Sequence, residues 1–387
     1  MTEKEDTIKG KRIYFFDNLR TFMIFLVVLL HSGLVYEKGV FSSFFWIVYD
    51  PSTNTVVHVL RIILDIFIMS TIFFISGFLT PLSLKSKNGW VFVKTKFKRL
   101  IIPWMIAVLT LMPLYKFIFL YSRNLPQQNW TTYFHWSNEI WSQNWLWFLP
   151  VLFLFDILYL LLSKVKIKLP DITLKQAIGA IFLIGFIYSI CMDIFNFQGW
   201  TKTILLDFQN ERLLIYFVMF LFGSLCYKLK TFESKPKNRK FYIIILCTAW
   251  IPIILYRFFY LNSLMSPGDF IFSDMIDTLL LWFNFHLSLL CLLYLMINTF
   301  RVYLDKRGKI SKELNKNSYH VYIIHTVVMG GLAVILLHTA LPSLLKFLLL
   351  TVSTFVVSNL FIYFYREVIQ AKILMKRMVS GKGFIKI

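Results

Sequence analysis

The chain has 387 residues, of which 58% are hydrophobic and only 16% are charged, a composition that excludes a soluble globular protein of this length. Its formal net charge is +21, yet 32 of the 41 Lys and Arg residues lie in six segments that fall on one side of the membrane when the N-terminus is placed in the cytoplasm. This is the positive-inside pattern. The basic excess therefore indicates topology, with both termini cytoplasmic, and does not indicate a nucleic-acid partner.

Ten apolar runs are long enough to cross a bilayer, which predicts an all-α polytopic protein of the cell membrane. They lie near residues 16–36, 60–84, 100–121, 145–163, 173–193, 212–229, 241–260, 275–300, 318–338 and 343–366. No long soluble segment divides them, so we expect one domain over residues 1–387, with a membrane core at 16–366 and a basic cytoplasmic tail at 367–387. The four cysteines fall inside these runs without metal-ligand spacing, and no bound metal is expected.

The first apolar run carries a polar stripe formed by Asp17, Arg20 and His31. Eleven helical steps separate Arg20 from His31 and bring the second side chain to within about 20° of the first, about 16 Å further along the axis. Asp17 lies one turn before Arg20 on the same stripe. Since a charged group in a bilayer helix costs about 3 kcal/mol, such residues normally face an interior cavity and mark a functional site.

Further ionisable residues lie in or near the later runs. Arg61 and Asp65 are spaced i, i+4, so we expect them to neutralise each other within one helix. Asp156 and Asp193 lie near the predicted ends of spans, where a carboxylate is solvated or caps a helix. Lys116 is expected to extend its amine toward the membrane interface.

Two short motifs mark the second and third runs. Ser76-Gly77 offers the small side chains that let membrane helices pack closely. Lys96 and Arg99, spaced i, i+3 in a basic segment before Pro103, are either a positive-inside anchor or a pair that holds phosphate groups.

Tryptophans cluster at an outer boundary, at Trp130, Trp136, Trp141, Trp145 and Trp147. This cluster is either an aromatic belt at the membrane interface or a platform on which a sugar ring stacks. The sequence leaves both interpretations open.

Tyr322 and His325 are three residues apart and share one face of a late predicted helix. A buried Tyr–His pair suits either a hydrogen bond between helices or proton transfer. Both interpretations remain open.

In chain order, these segments resemble the prokaryotic integral-membrane O-acyltransferases of the acyltransferase-3 family. The resemblance rests on Phe16-Asp17-Asn18-Leu19-Arg20 followed by His31, Phe73-Phe74-Ile75-Ser76-Gly77-Phe78, Lys96-Phe97-Lys98-Arg99-Leu100-Ile101-Ile102-Pro103, Leu146-Trp147-Phe148-Leu149 and Tyr322-Ile323-Ile324-His325. The opening segment, the late Tyr-x-x-His and the short basic tail look closest to the glucan-succinylating branch, glucan biosynthesis protein C.

Three positions depart from the pattern of that family. Trp145 stands where the family often has a His, and Ile68 stands where a polar residue is frequent. Lys96 replaces the first Arg of the basic pair, which keeps the charge but loses the bidentate fork. The identity of the acceptor and an auxiliary histidine role are therefore open.

The resemblance implies transfer of an acetyl or succinyl group from cytoplasmic acyl-CoA to a hydroxyl of an extracytoplasmic cell-surface glycan. It implies that His31 is catalytic, as a general base or as a covalent acyl carrier, while Arg20 positions the donor and Asp17 orients Arg20. Lys96 and Arg99 are then expected to bind the CoA phosphates. Substrate-binding or auxiliary roles fall to Ser76, Trp147, Tyr322 and His325.

Two other functions remain open on the sequence. One is a transporter or flippase that exports a polysaccharide or an acylated glycan intermediate, with the polar stripe lining its path. The absence of two matching halves in the sequence weighs against it. The other is a structural subunit of an envelope assembly, in which Arg20 and His31 matter only for stability.

Overall fold

The computed structural model describes residues 14–37, 45–85, 87–134, 143–165, 172–233, 239–266, 268–306 and 308–379. The α-helices are α1 (Tyr14–Tyr36), α2 (Thr55–Lys85), α3 (Gly89–Lys96), α4 (Ile102–Ser122), α5 (Phe148–Lys164), α6 (Leu174–Ile194), α7 (Asn210–Lys228), α8 (Arg239–Thr248), α9 (Trp250–Met265), α10 (Asp274–Tyr303), α11 (Lys309–Leu337) and α12 (Ser343–Val379). The remaining regular elements are a π-helical turn (Phe97–Ile101), two 3₁₀ turns (Trp130–Phe134 and Asn144–Trp147) and an antiparallel pair of strands, β1 (Trp200–Lys202) and β2 (Asp207–Gln209).

Nine stretches of the described residues are helical, long and apolar enough to cross a membrane. They match nine of the ten predicted runs. The one run without such a match, at 212–229, is helix α7. This helix is 19 residues long, has Glu211 in its first turn and packs along α2. The prediction of an all-α polytopic membrane protein is therefore confirmed.

Helices α2 and α7 approach each other backbone to backbone through two glycines. A Cβ atom added to Gly77 would lie 1.8 Å from the Phe220 carbonyl oxygen, and one added to Gly223 would lie 2.0 Å from the Phe74 carbonyl oxygen. Only a residue without a side chain fits at such a crossing. The close packing predicted for Ser76-Gly77 is confirmed, and the contact holds α2 at the centre of the bundle.

Helices α1 and α11 run parallel and in step. Near their beginnings, Asn315 Nδ2 donates to Asn18 Oδ1 at 2.8 Å and Thr21 Oγ1 donates to Asn315 Oδ1 at 2.5 Å. Near the other end, Ser32 Oγ lies 3.4 Å from Met329 Sδ. The residues in contact lie equally far along the two helices, so one face of α1 packs against α11 over most of its length.

The basic segment before α4 contains a π-helical turn. Pro103 has no backbone N–H, so the Arg99 carbonyl four residues earlier loses its ordinary helical donor. Tyr319 Oη, from α11, donates to that carbonyl at 2.5 Å. The wide turn thereby joins the start of α4 to the inner part of α11.

The expected ion pair between Arg61 and Asp65 is wrong. Arg61 Nε donates to Glu37 Oε1 at 2.7 Å, and Asp65 Oδ2 accepts from Arg212 Nη2 at 3.0 Å. Each partner comes from another part of the chain: Glu37 follows α1, and Arg212 lies in α7. Contacts between helices have replaced the local pair that the spacing predicted.

The expectation that Asp156 is solvated or caps a helix is also wrong. Its side chain is fully buried, and Asp156 Oδ1 accepts from Lys96 Nζ at 2.8 Å and from Thr80 Oγ1 at 2.9 Å. Helix α5 packs against the basic segment at this point, so the carboxylate is shielded from water. A buried charge of this kind needs a bonded counter-charge, and Lys96 supplies it.

Candidate functional site

A cavity of about 1410 Å³ lies at one end of the bundle. It is lined where α1, α4, α6 and α9 finish and where α2 and α10 begin, and it extends to exposed residues such as Lys202 and Phe270. The positive-inside pattern predicts that this end faces out of the cell. The residues that line it include His31, Arg61, Tyr115, Lys116, Trp145 and Tyr322.

His31 lies in the cavity wall and is paired with His325. The two imidazoles approach within 2.8 Å, from His31 Nδ1 to His325 Nε2, and their rings are parallel to within 7°. His325 is fully buried on α11 and also contacts the Tyr322 carbonyl oxygen and the Thr326 hydroxyl. His31, which is half-buried, is thus the member of this two-histidine cluster that borders the cavity.

Trp46 covers the other side of His31. The ring centroids of Trp46 and His31 are 5.0 Å apart, and Trp46 also meets Tyr115 edge to face at 6.1 Å. Arg123 fixes this loop, since its Nη2 donates to the Trp46 carbonyl oxygen at 2.9 Å while its guanidinium lies 3.9 Å from the Phe119 ring centroid. The sequence offered no local signal for Trp46, because it reaches His31 from a loop.

Tyr322 and His325 are not joined through the tyrosine hydroxyl. Tyr322 Oη donates to the Trp145 carbonyl oxygen, and Trp145 Nε1 donates in return to the Ile323 carbonyl oxygen at 2.9 Å. These two bonds fix α11 against the turn Asn144–Trp147. His325 instead contacts the backbone carbonyl of Tyr322, with its Nδ1 2.7 Å from that oxygen. Of the two interpretations left open, the geometry favours a bond between helices for the hydroxyl.

Trp147 lines the cavity within an aromatic group. Its ring stacks on Tyr216 with centroids 5.7 Å apart and meets Trp200 edge to face at 5.6 Å. Trp130 is exposed on the turn Trp130–Phe134, and Trp145 is buried. Trp136 and Trp141 lie outside the described residues, as do residues 380–387 of the predicted basic tail.

Arg20 and Asp17 lie toward the opposite end of α1 from His31. Arg20 Nη2 is 3.3 Å from Asp17 Oδ1 and 3.5 Å from the Asn315 carbonyl oxygen. Neither residue lines the cavity, yet both belong to the face of α1 that follows α11. The stripe predicted on α1 therefore faces α11 at Asn315 and again at His325.

Lys96 and Arg99 have different partners in the structure. The Lys96 amine is held by buried Asp156, whereas the Arg99 side chain is exposed and its backbone is joined to Tyr319. Asn315 and Tyr319 are one turn apart on α11, so the Arg20 side chain and the Arg99 backbone contact neighbouring positions of that helix. Ser76 lies away from the cavity, and its carbonyl oxygen accepts from Thr80 Oγ1 at 2.9 Å.

Charged residues that the sequence did not assign to a site form part of the cavity wall. Arg61 is bonded to Glu37, which is fully buried and also contacts His58 Nδ1. Arg212 is bonded to Asp65, and its guanidinium lies 4.5 Å from the Phe285 ring centroid. Charged side chains inside apolar runs were the available signal for these residues, although their partners were not. Lys116 also lines the cavity, with its amine 5.3 Å from the Phe119 ring centroid.

No metal centre is formed by the part of the chain that the structure describes, where no three His, Cys, Asp or Glu side chains come together. The arrangement offers acid–base chemistry instead. An imidazole lies on the wall of a large cavity that is rich in aromatic side chains.

Comparison with known proteins identifies the family. The family model described as an acyltransferase domain, of the acyltransferase-3 family, matches residues 13–363, which is nearly the whole chain. No significant match was found among curated proteins or among solved structures. The matched range contains all the helices that line the cavity. The chain therefore belongs to the acyltransferase-3 family and is a multi-pass membrane acyltransferase.

Proposed function

We propose that the protein transfers a short acyl group, acetyl or succinyl, from cytoplasmic acyl-CoA to a hydroxyl of an extracytoplasmic cell-surface glycan, and that it works in the plasma (inner) membrane. The observation that carries the proposal is the position of His31, which is an imidazole in the wall of the large cavity and lies on the same face of α1 as Arg20. Family membership supplies the reaction class.

The proposed reaction needs only the imidazole and the two substrates. His31 removes the proton from the sugar hydroxyl as its oxygen attacks the thioester carbonyl carbon. A carbon–oxygen bond forms, the carbon–sulfur bond breaks, and the imidazolium returns the proton to the departing CoA thiolate. In the covalent alternative, His31 first accepts the acyl group and then passes it to the hydroxyl. Both routes end with an O-acyl glycan and free CoA.

Donor binding is proposed for the inner end of α1. The Arg20 side chain and the Arg99 backbone contact α11 one turn apart, and the proposal is that their two guanidinium groups bind phosphates of CoA. Asp17 holds Arg20 in place. Lys96 is not included in this set, because its amine is bonded to Asp156.

Acceptor binding is proposed for the aromatic part of the cavity. Trp147 presents an indole on the wall beside Tyr216 and Trp200, and flat aromatic faces suit the apolar faces of sugar rings. The hydroxyl to be acylated then lies toward His31.

The test uses the full chain in lipid nanodiscs, with acetyl-CoA or succinyl-CoA as donor and a neutral glucan oligosaccharide as acceptor. We expect CoA thiol release together with an acylated oligosaccharide in the mass spectrum. His31→Ala should lower this rate by about 10²–10⁴-fold, the usual contribution of a general base. The matched control is His338→Ala, at the end of α11, which should retain the wild-type rate.

Equal rates for His31→Ala and wild type would contradict the proposal. Passage of a labelled glycan across the bilayer without release of CoA would favour the transporter alternative.

A further inference from the structure

The contacts of His325 determine where its proton lies. A carbonyl oxygen only accepts hydrogen bonds, so His325 Nδ1, at 2.7 Å from the Tyr322 carbonyl oxygen, must carry a hydrogen and donate it. The other hydrogen-bonding contacts of His325 are with an imidazole, the Thr326 hydroxyl and the Val321 backbone, and none of them is a carboxylate that would stabilise a doubly protonated ring. In the neutral ring, Nε2 of His325 is therefore an acceptor.

The bond to His325 also determines which nitrogen of His31 carries a hydrogen. His325 Nε2 accepts, and the atom 2.8 Å from it is His31 Nδ1, so His31 Nδ1 carries the hydrogen of this bond. The two rings are parallel to within 7°, which is compatible with an N–H···N bond that lies in both ring planes. In neutral His31 the second nitrogen, Nε2, is then unprotonated and has a lone pair. That is the nitrogen a general base needs.

We propose that His325 is a positioning residue that holds His31 in its Nδ1-protonated tautomer and directs the basic Nε2 atom toward the cavity. The proposal rests on the function proposed for His31 and assigns the cause of its basicity. The chain of bonds runs from the Tyr322 carbonyl through His325 to His31, all within one turn of α11 and one contact with α1. It serves as the carboxylate does in a serine-protease triad, with a backbone carbonyl as its end point.

Burial restricts the movement of the residues in this chain of bonds. His325 and Thr326 are both fully buried, and Tyr322 is fixed to the Trp145 carbonyl through its hydroxyl. The Tyr322 carbonyl belongs to α11, so the helix sets its direction, and the Tyr322 hydroxyl anchors this part of α11 to the turn Asn144–Trp147. A backbone carbonyl at His325 Nδ1 and an imidazole at His325 Nε2 therefore favour one tautomer for each histidine.

The direct test is the tautomer of His31 in the resting protein, which requires no acyl transfer. Histidine labelled with ¹⁵N gives separate signals for protonated and unprotonated ring nitrogens, and His31→Ala assigns the His31 pair by loss. We expect a protonated Nδ1 and an unprotonated Nε2 in wild type. His325→Leu should move the His31 signals toward the averaged values of a free imidazole, whereas His320→Leu, on the same helix and exposed, should not.

Turnover gives the second measurement. His325→Leu should lower kcat by about 10²–10⁴-fold with little change in the KM of either substrate, because a mispositioned base affects the reacting step. His325→Gln retains an acceptor oxygen near the position of Nε2 and should recover at least about a tenth of the wild-type kcat.

The two proposals fail in different ways. A protonated His31 Nε2 in wild type, or unchanged His31 signals in folded His325→Leu, would overturn the positioning role whatever the activity. Lack of rescue by His325→Gln, in a variant whose melting temperature matches that of wild type, would also overturn it. The expected tautomer in a protein that releases no CoA would leave this inference standing and remove the acyltransfer reaction.

Discussion

Two polar pairs lie inside the same bundle and differ in one respect. At the basic segment before α4, the Lys96 amine and the Asp156 carboxylate face each other at 2.8 Å, and neither residue lines the cavity. Near the other end, His31 and His325 are also 2.8 Å apart, yet His31 lies on the cavity wall. The first pair neutralises charge within packed helices. The second leaves one ring in contact with the cavity in which we propose that the substrates bind. The two pairs therefore differ in whether one of the two partners also borders the cavity.

The largest expected effect is a loss of stability when the ion pair between Lys96 and Asp156 is broken. Asp156→Ala leaves the Lys96 amine buried without a counter-charge, and loss of one partner of a buried pair costs about 3–5 kcal/mol. We expect a clearly lower unfolding temperature and lower yield in detergent, measured by a thermal-shift assay.

The double variant Asp156→Ala with Lys96→Met is the matched control. It removes both charges and should recover part of the lost stability. Wild-type melting of Asp156→Ala alone would show that this pair is solvated.

The next prediction separates Lys96 from Arg99, two residues that the sequence treated as a pair. Arg99→Ala should raise the KM for acyl-CoA by about tenfold or more without lowering the unfolding temperature, since a charge-assisted bond contributes about 1.5–3 kcal/mol. Lys96→Met should do the reverse, because its amine serves Asp156.

Steady-state kinetics with varied acyl-CoA, alongside thermal unfolding, measures both changes. A larger rise in the KM for acyl-CoA in Lys96→Met than in Arg99→Ala would indicate that Lys96 binds the donor.

The smallest effect concerns the aromatic wall. Trp147→Ala should raise the KM for the glycan by about two- to tenfold and leave the KM for acyl-CoA unchanged, because an aromatic contact contributes about 0.5–1.5 kcal/mol. Trp130→Ala removes an exposed indole that does not line the cavity and is the control. Equal changes in both variants would support the interfacial aromatic belt instead of a sugar platform.

Helical periodicity predicted what lies within single helices. It placed Arg20 and His31 on one face of α1, and both residues do face α11. The composition around Gly77 likewise predicted a close crossing of helices. These features depend on local spacing, which a sequence displays directly.

Partners from distant parts of the chain could not be predicted in this way. Arg61 is bonded to Glu37 rather than to its near neighbour Asp65, because α1, which Glu37 directly follows, packs beside α2. Asp65 is bonded to Arg212, 147 residues later. The spacing rule counts only neighbours on the same helix, whereas the energetics of buried charge favour whichever opposite charge packs nearest.

The central claim is that an acyl group passes from a donor on the basic side to a hydroxyl on the cavity side at His31. The most direct measurement uses sealed proteoliposomes of defined orientation, with acyl-CoA only on the basic side and a neutral glucan oligosaccharide only on the cavity side. We predict that acylated oligosaccharide appears on the cavity side, that an equal amount of CoA is released on the other, and that His31→Ala abolishes both. Product formation only when donor and acceptor share one side, or transfer that survives His31→Ala, would contradict it.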